Sequence, residues 1–353
     1  MQSVIEMLYQ RLRFLAFGRN LLSKLFVSDN SLIQADILHV RHRIKSLSKA
    51  ITLSGPAVFE CAAGIKCEYG YRDSYAHNAK DAYLLKNLEC NSITGLAYLV
   101  DDKVIATEAI LNRKRPIGFV RLPLRKSQLV EGISYLANER NFYHFITEDL
   151  ANILLLLRNN VPKLRIVLPG DVTWKAQLIK QFIDEDRFEL VRVPKYCVVR
   201  QEYAFLVTKE PFDSYIHPFS IEVLRSNYVS RKDEGQPSKK LFISRRRAPS
   251  RDIKNSIEVE AFFEDLGFMV VCCEELTVAS QIELFTNAHI VAGAHGAGFT
   301  NMLWAGENCR IIEIFEKGHM NFCYMSMASK LGFSYEYLTL KDDGSLSLED
   351  IKI

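Results

Sequence analysis

The stretch Ala288-His289-Ile290-Val291-Ala292-Gly293-Ala294-His295-Gly296-Ala297-Gly298-Phe299-Thr300-Asn301 sets how this 353-residue chain is read. A short apolar run passes into glycines and alanines, and then into a segment of helical character. That is a strand, a tight turn and a helix. In open α/β sheets, ligands sit beyond the carboxyl ends of the strands. Gly296 and Gly298 carry no Cβ, so backbone amides there can come close to an anion. A helix starting near Ala297 directs its unpaired N–H groups and its dipole at the same spot. A diphosphate suits this chemistry. His295 can hydrogen-bond a phosphate oxygen or a sugar hydroxyl. The competing reading is a turn whose glycines serve packing alone.

Working outward, the turn belongs to a strict alternation. Residues 241–244, 268–272, 290–292, 310–315 and 333–338 read as strands. Residues 257–266, 278–287 and 321–331 read as helices, two of them closed by Gly267 and Gly332. Such alternation implies right-handed crossovers and a parallel sheet covered on both faces. Residues 231–240 contain no apolar side chain and mark a linker. Residues 241–353 are therefore expected to form one domain and residues 51–230 another. In the latter, residues 141–159 have helical length and an apolar stripe of Phe145, Leu150, Ile153, Leu154 and Leu157, ended by Pro162. Residues 131–135, 164–168, 190–193 and 196–199 read as strands, and 174–182 and 213–229 as helices. Residues 97–100 and 103–106 read as a hairpin around Asp101-Asp102.

Composition sets the bounds. Hydrophobic residues are 48% and charged residues 25%, ordinary for a globular protein. The net charge of +3 is too small to argue for nucleic acid. Eight cysteines lie at spacings that fit neither a zinc site nor a disulfide framework; a reducing compartment is the simplest inference. Residues 1–50 are locally basic. Within them, residues 4–27 mix Val4, Ile5, Leu8, Leu12, Leu15 and Leu22 with Arg11, Arg13, Arg19 and Lys24. This is too interrupted to span a membrane. It reads as a helix packed on the protein or a partner, or as one lying on an anionic membrane surface. The expected location is the cytoplasm, with peripheral contact at the inner face of the membrane through residues 1–27.

Side chains expected beside the turn come after strand ends. Arg245, Arg246, Arg247 and Arg251 come after the strand 241–244, on the ligand side, and guanidinium groups fork onto phosphate. Glu274 comes after the next strand and can take a ribose or sugar hydroxyl. Glu313 lies inside an apolar strand, so it is either a satisfied core acid or a ribose ligand. In the other domain, His144 and Glu148 are spaced i, i+4 on one helical face. A histidine suits general-base work near pH 7; Glu148 or Asp149 could serve instead.

Together these residues resemble glycosyltransferase family 61, which includes eukaryotic EGF-domain O-GlcNAc transferases, plant xylosyl- and arabinosyltransferases and bacterial capsule or lipopolysaccharide enzymes. The segment from Gly293 to Asn301, with Ile311-Ile312-Glu313 after it, is similar to the family's signature. Ser244-Arg245, Arg251, Asn255, Glu274 and Gln281 match further positions, although Ser256 stands where the family usually has an acid. Asn141-Phe142-Tyr143-His144-Phe145, with Glu148 or Asp149, matches an upstream aromatic-His segment. The resemblance covers residues 130–340. It implies a GT-B architecture, two Rossmann-like domains facing a cleft, and an inverting reaction without a required metal or other cofactor. It also implies a nucleotide-sugar donor, most commonly UDP-linked in this family, and a glycan acceptor, as in surface polysaccharide biosynthesis. The donor residues implied are Ser244, Arg245, Arg251, Asn255, Glu274, His295, Gly296, Ala297, Gly298, Asn301 and Glu313. The catalytic candidates are His144, Glu148 and Asp149. An epimerase of nucleotide-sugars and a non-catalytic glycan-binding protein are the rival readings.

Overall fold

Val167 and Leu168 and their neighbours are apolar on both sides of the strand, and only a sheet covered on both faces buries such a run. The computed structural model describes residues 51–54, 57–60, 74–77, 79–92, 97–99, 104–105, 125–170, 173–195, 197–208, 215–229, 238–248, 252–318 and 320–351. Its first part holds β1 (Ile51–Ser54), β2 (Ala57–Glu60), β3 (Ser74–His77), β4 (Lys80–Asn91), β5 (Ala97–Leu99), β6 (Val104–Ile105) and β7 (Arg125–Leu136). Helix α1 comes next, in three pieces: a first turn Phe142–His144, a π-helical stretch Phe145–Leu150, and a regular part Ala151–Arg158. Then come β8 (Leu164–Pro169), α2 (Thr173–Phe182), β9 (Phe188–Val193), β10 (Cys197–Val207) and α3 (Pro218–Val229). The sheet order is β6-β5-β4-β10-β7-β8-β9, with β1 also against β4, while β2 and β3 pair separately.

This first sheet is mixed. Strands β10, β7, β8 and β9 are parallel, but β4 runs antiparallel to β10 and carries β5 and β6 antiparallel beyond it. The hairpin expectation agrees with β5 and β6. By contrast β4, β7 and β10 span 12, 12 and 11 residues, more than local patterning suggests. Their alternation is broken by polar residues that the sheet buries, such as Ser134 and Gln201, whose side chains bond each other at 2.9 Å.

The second part holds β11 (Lys239–Ile243), α4 (Ser256–Asp265), β12 (Met269–Val271), α5 (Val278–Thr286), β13 (Ala288–Ala294), β14 (Arg310–Phe315), α6 (Cys323–Lys330) and β15 (Ser334–Thr339). All its strands are parallel, in the order β12-β11-β13-β14-β15. Counted along the chain this is 2-1-3-4-5, a doubly wound sheet whose order reverses between β11 and β13. Two details differ from expectation. Strand β11 starts inside the expected linker, whose residues 231–237 lie outside the described residues. The helix after the Gly-rich turn is a 3-10 helix, Ala297–Trp304, not an α-helix.

One hydrophobic cluster runs through both parts, joining Leu150, Leu154 and Phe182 to Phe285, Phe299 and Trp304. The Phe182 and Trp304 rings lie 5.0 Å apart. A second cluster, with Phe242, Phe263, Ile312 and Leu346, covers the other face of the parallel sheet. Helix α1 is buried nearly all round from Ala151 to Leu157 rather than along one stripe, because it lies within the first cluster. Among the described residues no helix is long and apolar enough to cross a membrane. The basic segment 1–27 lies outside them, as do Arg251 and Asp101-Asp102.

Candidate functional site

The register Val271–Ile243–Gly293 puts the ends of β12, β11 and β13 level, so the loops leaving these three strands meet at the switch point. Gly293 has φ +153°, and a Cβ there would stand 2.7 Å from the Ile243 carbonyl oxygen. A Cβ at Gly296 would overlap the Arg245 guanidinium. Arg245 therefore places a cation directly against the turn. Ser244 is buried and donates to Glu260 Oε1 at 2.6 Å, while Arg246 Nε pairs with Glu260 Oε2 at 2.9 Å. Arg247 pairs with Glu275 at 2.9 Å. Arg246 and Arg247 turn outward towards these acids, while Arg245 lies against the turn at Gly296.

His295 is nearly buried. Its Nδ1 lies 2.5 Å from Glu313 Oε1, and Glu313 Oε2 accepts from the Tyr335 hydroxyl at 2.6 Å. A carboxylate only accepts, so Nδ1 carries a proton. The ring stacks on Phe315 with centroids 5.3 Å apart. Glu313 is wholly buried, with both oxygens engaged, and sits behind His295 rather than at the surface of the cleft. Asn301 is also wholly buried; its Nδ2 donates to Gln281 Oε1 at 2.8 Å, and Gln281 in turn holds the Cys273 carbonyl. That chain pins the 3-10 helix to α5. Asn255 exchanges hydrogen bonds with the backbone of Leu346, tying α4 to the C-terminal tail.

A cleft of about 410 Å³ opens beside the turn. Phe142 and Trp174 line it from the first part, and Glu274, Leu276, Thr277, Ala297 and Gly298 from the second. Cys273 also reaches it, but burial, helped by Glu274 and Cys272, pushes its thiol up to about 12.

Helix α1 brings the remaining candidates. Asn141 caps it by accepting from the Tyr143 N–H at 2.8 Å. His144 Nδ1 lies 2.6 Å from Glu148 Oε1, with the histidine partly exposed and the acid more covered. Asp149 is buried and accepts from the Tyr135 hydroxyl at 2.9 Å and the Glu139 N–H at 2.8 Å. Glu148 and Asp149 fall in the π-helical stretch, a distortion frequent at functional sites. Tyr324, which nothing in the sequence marked, joins the two groups. Its ring lies 5.5 Å from Tyr143 and 5.3 Å from His295, and Tyr143 abuts His144 at 5.2 Å. Among the described residues no group of three or more His, Cys, Asp or Glu could hold a metal ion.

Residues 142–312 match the family model described as Glycosyltransferase 61. The chain carries a glycosyltransferase 61 domain. It begins at the turn of α1 that bears His144 and ends in β14, one residue before Glu313. Over 108 residues the chain is 30% identical to an alpha-1,3-arabinosyltransferase of Oryza sativa subsp. japonica, a stretch covering 28% of this chain and 18% of that protein's length. Both groups of side chains linked by Tyr324 draw on the glycosyltransferase 61 domain; Tyr324 itself and Tyr335 come after it in sequence.

Proposed function

We propose that the chain is an inverting glycosyltransferase of GT-B organisation, moving a sugar from a nucleotide-sugar, UDP-linked, to a hydroxyl of a glycan acceptor in surface polysaccharide assembly. One observation carries this reading: the His144–Glu148 pair and the Arg245–Gly296–His295 turn are joined through Tyr143 and Tyr324. The diphosphate lies against the turn amides, Arg245 and His295 Nε2. With both ring nitrogens of His295 protonated, these groups donate where negative charge grows as the leaving group departs. That task falls to them rather than to a metal ion.

His144 Nε2 takes the proton of the acceptor hydroxyl. The oxygen attacks the anomeric carbon, the bond from that carbon to the diphosphate oxygen breaks, and the diphosphate leaves with the electron pair. Glu148 holds the ring and offsets the positive charge that forms on it. The domain match and the arabinosyltransferase relative support sugar transfer. The test is a screen of nucleotide-sugars and UDP by thermal shift and turnover. A donor that binds the folded state stabilises it by mass action, by about 2.7 kcal/mol at a hundred times its Kd. No shift and no turnover with any nucleotide-sugar would sink the reading.

A further inference from the structure

The turn assigned to the diphosphate has two sides. On one side stand His295, Tyr324, Tyr143 and the His144–Glu148 pair. The cleft of about 410 Å³ is lined in part by Ala297 and Gly298 and by none of those side chains. His144 and Phe142 are two residues apart on one helical turn, so they point to different sides of it. The sugar belongs on the side of the base, which leaves the cleft for the rest of the donor.

Its walls fit a nucleoside. Trp174 is partly exposed in it and is held from behind: its ring lies 5.5 Å from Phe142, 5.1 Å edge-on from Phe145, and under the Lys175 ammonium at 5.7 Å. A ring fixed on several sides is a ready stacking surface that loses little freedom on binding. The exposed Glu274 carboxylate, which also lines the cleft, accepts hydrogen bonds from hydroxyls, as a ribose diol offers them. The volume lies within the range of about 300–1,000 Å³ usual for small-molecule sites.

We infer that this cleft binds the nucleoside of the donor, its base stacked on Trp174 and its ribose against Glu274. The inference rests on the glycosyltransferase reading and adds a consequence. Trp174 comes from the mixed-sheet part and Gly298 from the doubly wound part, so one donor molecule touches both.

The chain has two tryptophans, Trp174 in the cleft and Trp304 buried in the core. Titration of the full chain with UDP and with GDP, read by intrinsic fluorescence, is therefore a direct probe. The tighter nucleotide is expected to quench the emission, and Trp174→Phe is expected to abolish the quench while binding by thermal shift persists. Trp174→Ala should weaken that nucleotide about tenfold or more and leave inorganic pyrophosphate affinity unchanged. Glu274→Gln, at an exposed position that does not threaten folding, should likewise weaken nucleotide relative to pyrophosphate. Nucleotide binding by thermal shift, without quenching and with unchanged affinity in Trp174→Ala and Glu274→Gln, would overturn the nucleoside assignment and leave the glycosyltransferase reading standing. Loss of turnover in Trp174→Ala with nucleotide affinity intact would make the cleft an acceptor subsite and also overturn it. No binding of either nucleotide to the wild-type chain would overturn the nucleoside assignment, and the glycosyltransferase reading falls with it if no nucleotide-sugar shifts or turns over.

Discussion

At Gly296 a single hydrogen decides whether a cation and a backbone turn can share one place. Gly296→Ala inserts a Cβ where the Arg245 guanidinium lies. The arginine must then leave, and UDP affinity is expected to fall at least tenfold by calorimetry while the fold survives. Arg245→Ala and His295→Ala should act in the same direction. His144 tests the opposite half. Its removal should leave UDP affinity nearly intact and lower kcat by about 10²–10⁴, the usual contribution of a general base. Glu148→Gln should cost less, since the ring keeps a neighbour but loses its carboxylate. If turnover survived in both His144→Ala and Glu148→Gln, the base lies elsewhere. Cys273 offers a check on the electrostatics. With its thiol held at about 12 by burial first and by Glu274 and Cys272 second, almost none is thiolate at pH 8. Peptide mapping after iodoacetamide treatment of the native chain should find it unmodified; labelling comparable to an exposed cysteine would contradict that burial.

At the level of the element, the π-helical stretch of α1 is where sequence and structure part most clearly. Periodicity marks a helix over these residues but says nothing of a widened turn. Thr147 Oγ1 donates to the Tyr143 carbonyl at 2.8 Å, and Asp149 is drawn to Tyr135 and Glu139 on β7 and the loop after it. Asn152 extends the chain from the Tyr135 hydroxyl to Lys80 on β4. Asp149 thus anchors the segment that carries Glu148. Asp149→Asn leaves a buried donor facing donors, so a loss of about 1–3 kcal/mol in urea unfolding is expected. Lys175 on α2 adds a pH dependence. Burial lowers its pKa below 10.5, against the pull of Asp149 and Glu139 and with the push of Arg140. Between the folded and unfolded values the unfolded chain binds more protons, so this site's contribution rises with pH towards 10.5 and is lost as pH falls through the folded value. Lys175→Met should flatten that alkaline rise, measured as urea midpoints at pH 8 and pH 10; an unchanged slope would remove Lys175 as its source.

Across the whole molecule, the largest apolar cluster draws on both sheets, and smaller clusters belong to one part each. Arg225 on α3 donates to the carbonyls of Leu303 and Ala305 at 3.0 and 3.2 Å, and Lys330 on α6 donates to the Ile216 carbonyl at 2.9 Å. Shared burial couples the parts, so a single urea transition is expected, with far-UV circular dichroism and tryptophan fluorescence coincident. Arg225→Ala orphans two carbonyls at the join and should cost about 1.5–3 kcal/mol without splitting the transition. Two separated transitions in the wild type would show that the parts unfold independently.

The alternation of strands and helices after residue 238, the Gly-rich turn and the i, i+4 pair on α1 are all legible in the order of residues alone. Those signals are local: apolar period, chain stops and residues without a Cβ report on neighbours within one or two turns. Which polar side chains face the cleft and which are spent inside is settled by the folded chain. Asn255, Asn301, Asp149 and Glu313 find hydrogen-bond partners in Leu346, Gln281, Tyr135 and Tyr335, each 14 to 91 residues away, although the buried Asn301 Oδ1 keeps none. The β4–β10 pairing, which turns the first sheet from parallel to mixed, likewise joins segments more than 100 residues apart. A buried polar group must find its partner wherever folding brings one, and that choice is made in three dimensions, beyond the reach of local pattern.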